Sequence, residues 1–480
     1  MKNIELLENL KVSKVAVLGL GKSNVPLVKF LLDLGVTDIT VYDKKPWTEL
    51  GKEAREYNEK GVKFVGGEGY LDVVEGDYIF RTPGIRDDVP SIAKAVEGGA
   101  VLTSEMELFF ELTPARVIAI TGSDGKTTTT TLTYMILQTE LAKKGASRVY
   151  VGGNIGAPLL PLVGEMTSKD YAVVELSSFQ LKTMKYTPYR AAITNISPNH
   201  LDWHTDMDEY IECKKNICRG TGLDRLVTNG ECAETLKIAQ DMPSVTLVSS
   251  KKTSFHEICD EGHGKKAIFE SGGEVILSDG TLGRVMAKTS DIRLVGRHNL
   301  ENYMTAIALL DGLVSYNSIR KVAVEFGGVE HRMEFVREIN GVKYYNSSID
   351  SSPTRTIAAI SSFGEKKPIL ICGGYDKRVP FDSLGHVLCQ RAKAVVLTGA
   401  TREAINAAIR RSEYFAESEI TILIKPDFFE AVETAKNLAA EGDVVVLSPA
   451  CASFDAFRNF EERGTIFKNI INTMAEKGNN

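Results

Sequence analysis

The sequence predicts an α/β protein built on parallel sheets, and two observations predict it. Short apolar runs at 15–19, 39–43, 78–82, 117–121, 171–176, 191–195, 369–373, 394–398 and 444–448 alternate with helix-compatible stretches. A run without polar alternation reads as a strand buried on both faces, and the helices between such strands supply the crossovers that parallel pairing requires. The second observation is local. The run 117–121 leads straight into Gly122-Ser123-Asp124-Gly125-Lys126 and five threonines, 127–131. A strand that ends in a glycine turn and starts a helix is one βα unit of such a sheet. A chain of 480 residues has room for about three domains.

Three blocks follow from the pattern: residues 1–105, 106–328 and 329–480. The first opens with Val17-Leu18-Gly19-Leu20-Gly21-Lys22-Ser23, continues as a helix and reaches Val41-Tyr42-Asp43. A strand, a glycine turn, a helix and an acid about twenty residues on resemble a dinucleotide-type βαβ unit, although the third glycine is missing. A plain βαβ unit without a ligand is the alternative. The second block is organised by the loop at 122–128, with a helix-compatible stretch through Leu141. Its spacing is the short form Gly-x-x-Gly-Lys-Thr, because the position where a longer loop has its first glycine is Ile120. Backbone N–H groups at a helix start, a lysine and a threonine hydroxyl are the parts that hold a nucleotide phosphate tail and its Mg²⁺. The tail 249–282, rich in Gly, Lys, Glu and Ser, reads as hairpins on a sheet edge. The third block opens near Gly327-Gly328-Val329-Glu330-His331-Arg332, where the glycine pair reads as a hinge.

Composition removes several classes of function. A net charge of −6 argues against a nucleic-acid surface. The seven cysteines are odd in number and contain no Cys-x-x-Cys pair, which points to reduced thiols and a cytoplasmic protein. The N-terminus lacks the apolar core of a signal peptide, and no apolar stretch reaches the ~18 residues that span a bilayer, so no membrane partner is expected.

Candidate chemistry gathers at strand ends, where open parallel sheets carry their ligands. Glu175 ends one run and suits a Mg²⁺ held between protein and phosphates; a helix-capping acid is the plainer alternative. His200 and His204 follow the run 191–195. Pro198 and the turn residues around it disfavour the helix that a zinc pair would need, which leaves His200 as the functional histidine and His204 as a surface residue. Lys214 and Lys215 lie on an amphipathic helix around 210–217, where a lysine is ordinarily solvated. Three polar runs end strands of the third block: 346–351, 373–378 and 448–455. Together they suit a small anionic substrate.

Taken in order, these residues resemble the Mur ligases over essentially the whole chain. The resemblance rests on the loop 121–128, Gly153-Asn154-Ile155-Gly156, Glu175 through Gln180, Asn195 through Asp202, His298-Asn299 with Asn302, His331-Arg332 and residues 448–464. The Ser-Pro-Ala-Cys-Ala-Ser run is most similar to the branch that adds D-glutamate to UDP-N-acetylmuramoyl-L-alanine in peptidoglycan precursor synthesis. The resemblance implies a Rossmann-like N-terminal domain for the UDP-substrate, a P-loop-type central ATPase domain and a Rossmann-like C-terminal domain for the amino acid, working as a monomer. It implies that Gly122, Ser123, Asp124, Gly125, Lys126, Thr127 and Thr128 hold the ATP phosphates. Asn302 and Arg332 would face adenine and ribose. Thr127 and Glu175 would share one Mg²⁺, and His200 and a carbamylated Lys214 a second; Lys126, His200 and Lys214 would be the catalytic groups. Leu20, Lys22, Asp43 and Lys44 would surround the uracil and diphosphate. Asn154, Ser177 and Gln180 would touch the rest of that substrate, and Lys377, Ser453 and the Phe460 N–H the D-glutamate. One run departs from the family: Ser347 and Ile349 stand where an aspartate and a lysine are usual, with Asp350, Arg355 or Lys377 as replacements. That departure leaves two further readings, a ligase adding a different amino acid (another Mur or a folylpolyglutamate-type enzyme) and a nucleotide-binding regulator without turnover.

Overall fold

A computed structural model of the chain describes residues 2–143, 145, 147–259, 265–294, 296–377 and 379–474. Among them the strands form three sheets. The first has the order Lys63–Gly66, Ile39–Asp43, Val15–Leu18, Tyr78–Arg81, Val101–Thr103, all parallel. The second is nine strands wide. Its parallel part centres on Arg116–Thr121, which lies between Arg190–Ile193 and Tyr171–Glu175. Its far edge is the antiparallel set Lys266–Ser271, Glu274–Ser278, Gly283–Lys288, so the expected edge hairpins form from Lys266 onward, whereas the first part of that tail, over its described residues, holds the short helix Phe255–Cys259 and no hairpin. The third sheet is antiparallel only at Glu334–Ile339; Val342–Asn346, Val444–Leu447, Ile369–Cys372, Ala394–Leu397 and Thr421–Ile424 run parallel.

The central strands are buried along their whole length: Val15–Leu18, Ile369–Cys372 and Val444–Leu447 show no more than 5 % exposure at any residue. Helices on both faces cover them, as uninterrupted Val/Ile/Leu runs demand. In the first sheet the place of the missing glycine is taken by Asn24. Its buried amide donates to the Leu18 and Gly19 carbonyls at 3.1 and 2.8 Å, closing the turn with a side chain where a glycine packs backbone on backbone.

The chain divides into two compact units. One comprises Met1–Thr289 with Glu301–Val322 and contains the first and second sheets. Its apolar core is continuous between them, running from Leu27, Val41 and Phe80 through Phe109 and Leu112 to Val117, Val174 and Ala191. The other comprises Ser290–Leu300 with Ala323–Asn480 and contains the third sheet, whose two faces bury separate cores around Leu370 and Val446 and around Ile371 and Val445.

Candidate active site

The strand Arg116–Thr121 feeds a loop in which φ is 144° at Gly122 and 78° at Gly125. A Cβ at Gly122 would overlap the Thr194 hydroxyl, and one at Gly125 the Asn302 amide, so both positions require glycine. The neighbouring strand clamps the loop: Thr194 Oγ1 donates to the Asp124 carbonyl at 2.5 Å, and Asn195 Oδ1 accepts the Asp124 N–H at 3.0 Å. The Ser123 hydroxyl accepts the Ser197 N–H at 2.9 Å and shares a hydrogen bond with the Tyr210 hydroxyl at 2.9 Å. Gly125 caps the helix Lys126–Ala142. A glycine cap brings no side chain to compete with an anion for the first-turn N–H groups. Lys126 Nζ folds back onto the loop, donating to the Gly122 and Ser123 carbonyls at 2.9 and 2.8 Å.

Parallel register sets Ile120 beside Glu175, which brings the second carboxyl-end residue to the loop. Glu175 is 2 % exposed. Its Oε2 accepts the Thr127 hydroxyl and its Oε1 the Asn154 amide, each at 2.8 Å. It is not a helix-capping acid: the short helix Ser178–Leu181 is capped by Ser177, whose Oγ accepts the Gln180 N–H while Gln180 Oε1 accepts the Ser177 N–H. Thr128 is buried, and Asn302 Oδ1 accepts the Thr129 hydroxyl at 3.3 Å.

The two histidines are placed the other way round from the expectation for His204. His204 is buried at 2 % exposure, stacked on Phe179, packed against Trp203 and Tyr210, and hydrogen-bonded through Nε2 to the Ser178 hydroxyl at 2.9 Å. Its surface assignment fails because Phe179 and Ser178, from the earlier helix Ser178–Leu181, close over it together with the nearby Trp203 and Tyr210. His200 is exposed, in the left-handed region at φ 56°, its ring against Phe179. Burial and then the positive charge of Lys126 hold its pKa below the usual imidazole value.

Lys214 is not solvated either. It is 1 % exposed on the helix Met207–Lys215, donates to the Gly122 carbonyl at 2.7 Å and lies 4.5 Å from the Tyr210 ring centroid. Burial and the nearby Lys126 charge lower its pKa to about 7. Two lysines, from helices far apart in sequence, therefore converge on one loop carbonyl. Tyr210, which joins Lys214 to Ser123, has no sequence signal of its own; it is one apolar position of an amphipathic helix.

The donors fit Mg²⁺ at one place without change. The Thr127 hydroxyl and the Glu175 carboxylate are hard oxygens 2.8 Å apart beside the loop lysine. Among the described residues no cluster of three or more His, Cys, Asp or Glu is set to hold a metal. Elsewhere His200 offers one nitrogen, and Lys214 would become an oxygen donor only as a carbamate.

In the first sheet Asp43 sits where the strand ends meet, its carboxylate accepting the Leu20 and Lys45 N–H groups at 2.7 and 2.9 Å. Lys22 and Lys44 are exposed at the same edge. In the third sheet the ends of Val342–Asn346, Val444–Leu447 and Ile369–Cys372 are adjacent, which brings the three polar runs together. Ser347 and Ser453 are buried, and Lys377 is exposed. The Asp350 carboxyl accepts the Ser448 hydroxyl at 2.8 Å, and burial raises its pKa. Arg355 donates to the Ile349 carbonyl at 3.2 Å. Arg332 lies next to His331, a buried histidine at φ 63° that pairs with Asn346 at 2.9 Å. Phe460 begins the helix Phe460–Thr473, and its carbonyl accepts the Ser348 hydroxyl at 2.8 Å. The residue missed in this region is Arg463. It is 2 % exposed and donates to the Ser348, Cys451 and Ala452 carbonyls at 2.8–3.1 Å, tying two of the polar runs together. A single arginine in a helix carries no sequence mark of that burial.

Comparison with known proteins points to one family. Residues 120–310 match the Mur ligase middle domain, and residues 331–451 match the Mur ligase glutamate ligase domain. The UDP-N-acetylmuramoylalanine--D-glutamate ligase of Clostridium novyi is 47 % identical over 463 residues, covering 96 % of this chain and 97 % of the relative. The protein of the same name from Acetivibrio thermocellus is 47 % identical over 471 residues, covering 97 % and 98 %. In fold, the chain is similar to the UDP-N-acetylmuramate-alanine ligase MurC of Thermotoga maritima, with a TM-score of 0.53 at 17 % identity over 96 % of this chain and 99 % of that one. The two matched domains and 47 % identity over nearly the whole chain to these ligases lead to one assignment: the chain belongs to the Mur ligase family.

Proposed function

We propose that this chain catalyses the ATP-dependent joining of D-glutamate to UDP-N-acetylmuramoyl-L-alanine, a step of peptidoglycan precursor synthesis. The observation that carries the reading is the 47 % identity, over 96 % of the chain, to ligases of that name, in a chain whose phosphate loop and Glu175 are assembled. The substrate carboxylate attacks the γ-phosphorus of ATP, and ADP leaves. The D-glutamate amine then attacks the acyl phosphate, and inorganic phosphate leaves. Lys126 and the loop N–H groups oppose the charge on the transferring phosphoryl group. Bound Mg²⁺ supplies further charge neutralisation and aligns the phosphates. Thr127 and Glu175 would hold one ion; His200 and Lys214, once carbamylated, would hold a second. Gly122 to Thr128 bind the phosphates, and Asn302 and Arg332 the nucleoside. Leu20, Lys22, Asp43, Lys44, Asn154, Ser177 and Gln180 receive the UDP-substrate, and Lys377, Ser453 and Phe460 the amino acid. The three blocks 1–105, 106–328 and 329–480 take these roles in turn, in a monomer of the cytoplasm.

The test is phosphate release with ATP, Mg²⁺, UDP-N-acetylmuramoyl-L-alanine and a panel of amino acids. D-glutamate is expected to support turnover at least about 100-fold better than L-glutamate, L-lysine or diaminopimelate, a margin that paired polar contacts supply. Preference for another amino acid would transfer the assignment to a different ligase. Nucleotide binding without turnover under any amino acid would make the chain a regulator.

A further inference from the structure

Arg86 lies on the segment that follows the strand Tyr78–Arg81 of the first sheet, yet, besides its neighbour Asp88, its partners lie on the segment and helix that follow the strand Arg190–Ile193 of the second. Its Nη1 donates to the Trp203 carbonyl at 2.6 Å and to Glu209 Oε2 at 3.2 Å, and its Nη2 donates to Glu209 Oε1 at 3.0 Å. The guanidinium carbon is 5.0 Å from the Trp203 ring centroid, and Trp203 Nε1 donates back to the Gly84 carbonyl at 3.1 Å. Glu209 also receives Lys182 Nζ and, at 2.7 Å, the Thr205 N–H. Asp88 and Asp87 balance the two cations, Asp88 against Arg86 at 2.7 Å and Asp87 against Lys182 at 3.4 Å. One residue before the segment, Arg81 donates to the Phe179 carbonyl at 2.8 Å; the Phe179 ring packs on both His200 and Trp203.

These contacts lie next to the turn that carries His200 and on the helix that carries Lys214. His200 is in the left-handed region, a conformation that costs a non-glycine residue about 1 kcal/mol or more and persists only where its surroundings over-determine it. The N–H groups of Trp203 and His204 close onto its carbonyl at 3.0 Å each, so whatever fixes Trp203 fixes His200. Glu209 sits in the first turn of the helix that carries Lys214 to the loop carbonyl. The side chains of Arg86, Glu209 and Lys182 are 15–22 % exposed, shielded enough for a forked pair to hold geometry where a surface pair would not.

We propose that residues 84–88 form a brace, anchored by Arg86 on Trp203 and Glu209, that positions His200 and Lys214 for the second metal ion. Arg86 is a positioning residue and touches no reactant. The inference rests on reading His200 and Lys214 as holders of that ion.

The experiment compares wild type with Arg86→Ala, Arg86→Lys and Lys214→Ala. The first readout is hydrogen exchange of residues 198–215 in protein without metal or substrate. Arg86→Ala is expected to speed it about tenfold, with Arg86→Lys intermediate. The second is the Mg²⁺ concentration that half-saturates phosphate release. Arg86→Ala should raise it about tenfold, a loss of the size seen when the support of a metal ligand is removed, here acting through Trp203 and Glu209, while KM for ATP at saturating Mg²⁺ stays within about twofold. Exchange and Mg²⁺ dependence as in wild type, or a lowered melting temperature with unchanged Mg²⁺ dependence, would overturn the brace. If Arg86→Ala does not fold, Arg86→Lys decides by the same criteria. An inactive Lys214→Ala beside an unperturbed Arg86→Ala defeats the brace alone; a fully active Lys214→Ala defeats the metal reading and the brace with it.

Discussion

A lysine with 1 % of its surface exposed and a second lysine nearby does not hold its proton as a solvated one does. Burial and the Lys126 charge bring the Lys214 pKa to about 7, so at neutral pH much of the side chain is free amine, the form that adds CO₂. The same shift has a stability consequence. The unfolded lysine titrates near 10.4, and between about 7 and 10.4 the unfolded chain binds the extra proton, so stability rises with pH across that window. The cost of the buried cation is present in full below pH 7. In CO₂-free buffer, Lys214→Met should therefore raise stability by about 1–2 kcal/mol at pH 7, net of the lost bond to Gly122, and the gain should vanish toward pH 10.5. The same variant should lose at least about 10³-fold in phosphate release, the scale of removing a group that places charge at the reaction. Thermal melts across pH check the first part; a gain that does not change with pH would disprove the titration.

At the scale of elements, the phosphate loop shows where glycine is needed and where it is only convenient. Gly125 has φ 78° and Asn302 in the place of a Cβ, whereas Gly35, ending the helix Asn24–Leu34 at φ 97°, has open space around it. Gly35→Ala should cost about 1 kcal/mol of stability and leave ATP affinity unchanged. Gly125→Ala should cost that and, by displacing Asn302 and the helix start, weaken ATP binding about tenfold or more, measured by calorimetric titration. The same contrast explains what was legible. The nine runs named from the sequence were readable because each is an apolar run buried by its own sheet, a local property; the interior strands Val245–Ser249 and Val342–Asn346, buried too but interrupted by threonine or lysine, were not. The edge strands Lys63–Gly66 and Thr421–Ile424 were not: the first is mostly exposed, and the second offers only the three-residue run Ile422-Leu423-Ile424 at a partly exposed edge. Loop glycines are readable because their conformational demand is local. The burial of Lys214 and His204 is not, because it depends on segments as far apart as residues 122 and 214, or 178 and 204, meeting in space.

For the whole molecule, each sheet presents its carboxyl edge with a different chemistry. The first offers Asp43 amid backbone amides, the second a lysine and a carboxylate around a phosphate loop, and the third buried serines with an exposed lysine. The second edge decides how the carboxylate is activated. Lys126, the helix start and the Thr127–Glu175 pair all concentrate at one end of one loop, the place proposed above to stabilise transfer of a terminal phosphoryl group. Activation at that end joins a substrate carboxylate oxygen to the γ-phosphorus, and collapse of the tetrahedral intermediate leaves that oxygen on inorganic phosphate. With ¹⁸O in the L-alanyl carboxylate, one labelled oxygen per turnover should therefore appear in phosphate and none in the nucleotide, read by ³¹P isotope shifts. Label in AMP would mean attack at the α-phosphorus and would refute the role given to the loop. Label retained wholly in the amide product and water would mean that no acyl phosphate forms. The Glu175→Gln variant should slow label transfer and product formation equally, by about 10²–10³-fold, because both depend on the same phosphoryl step.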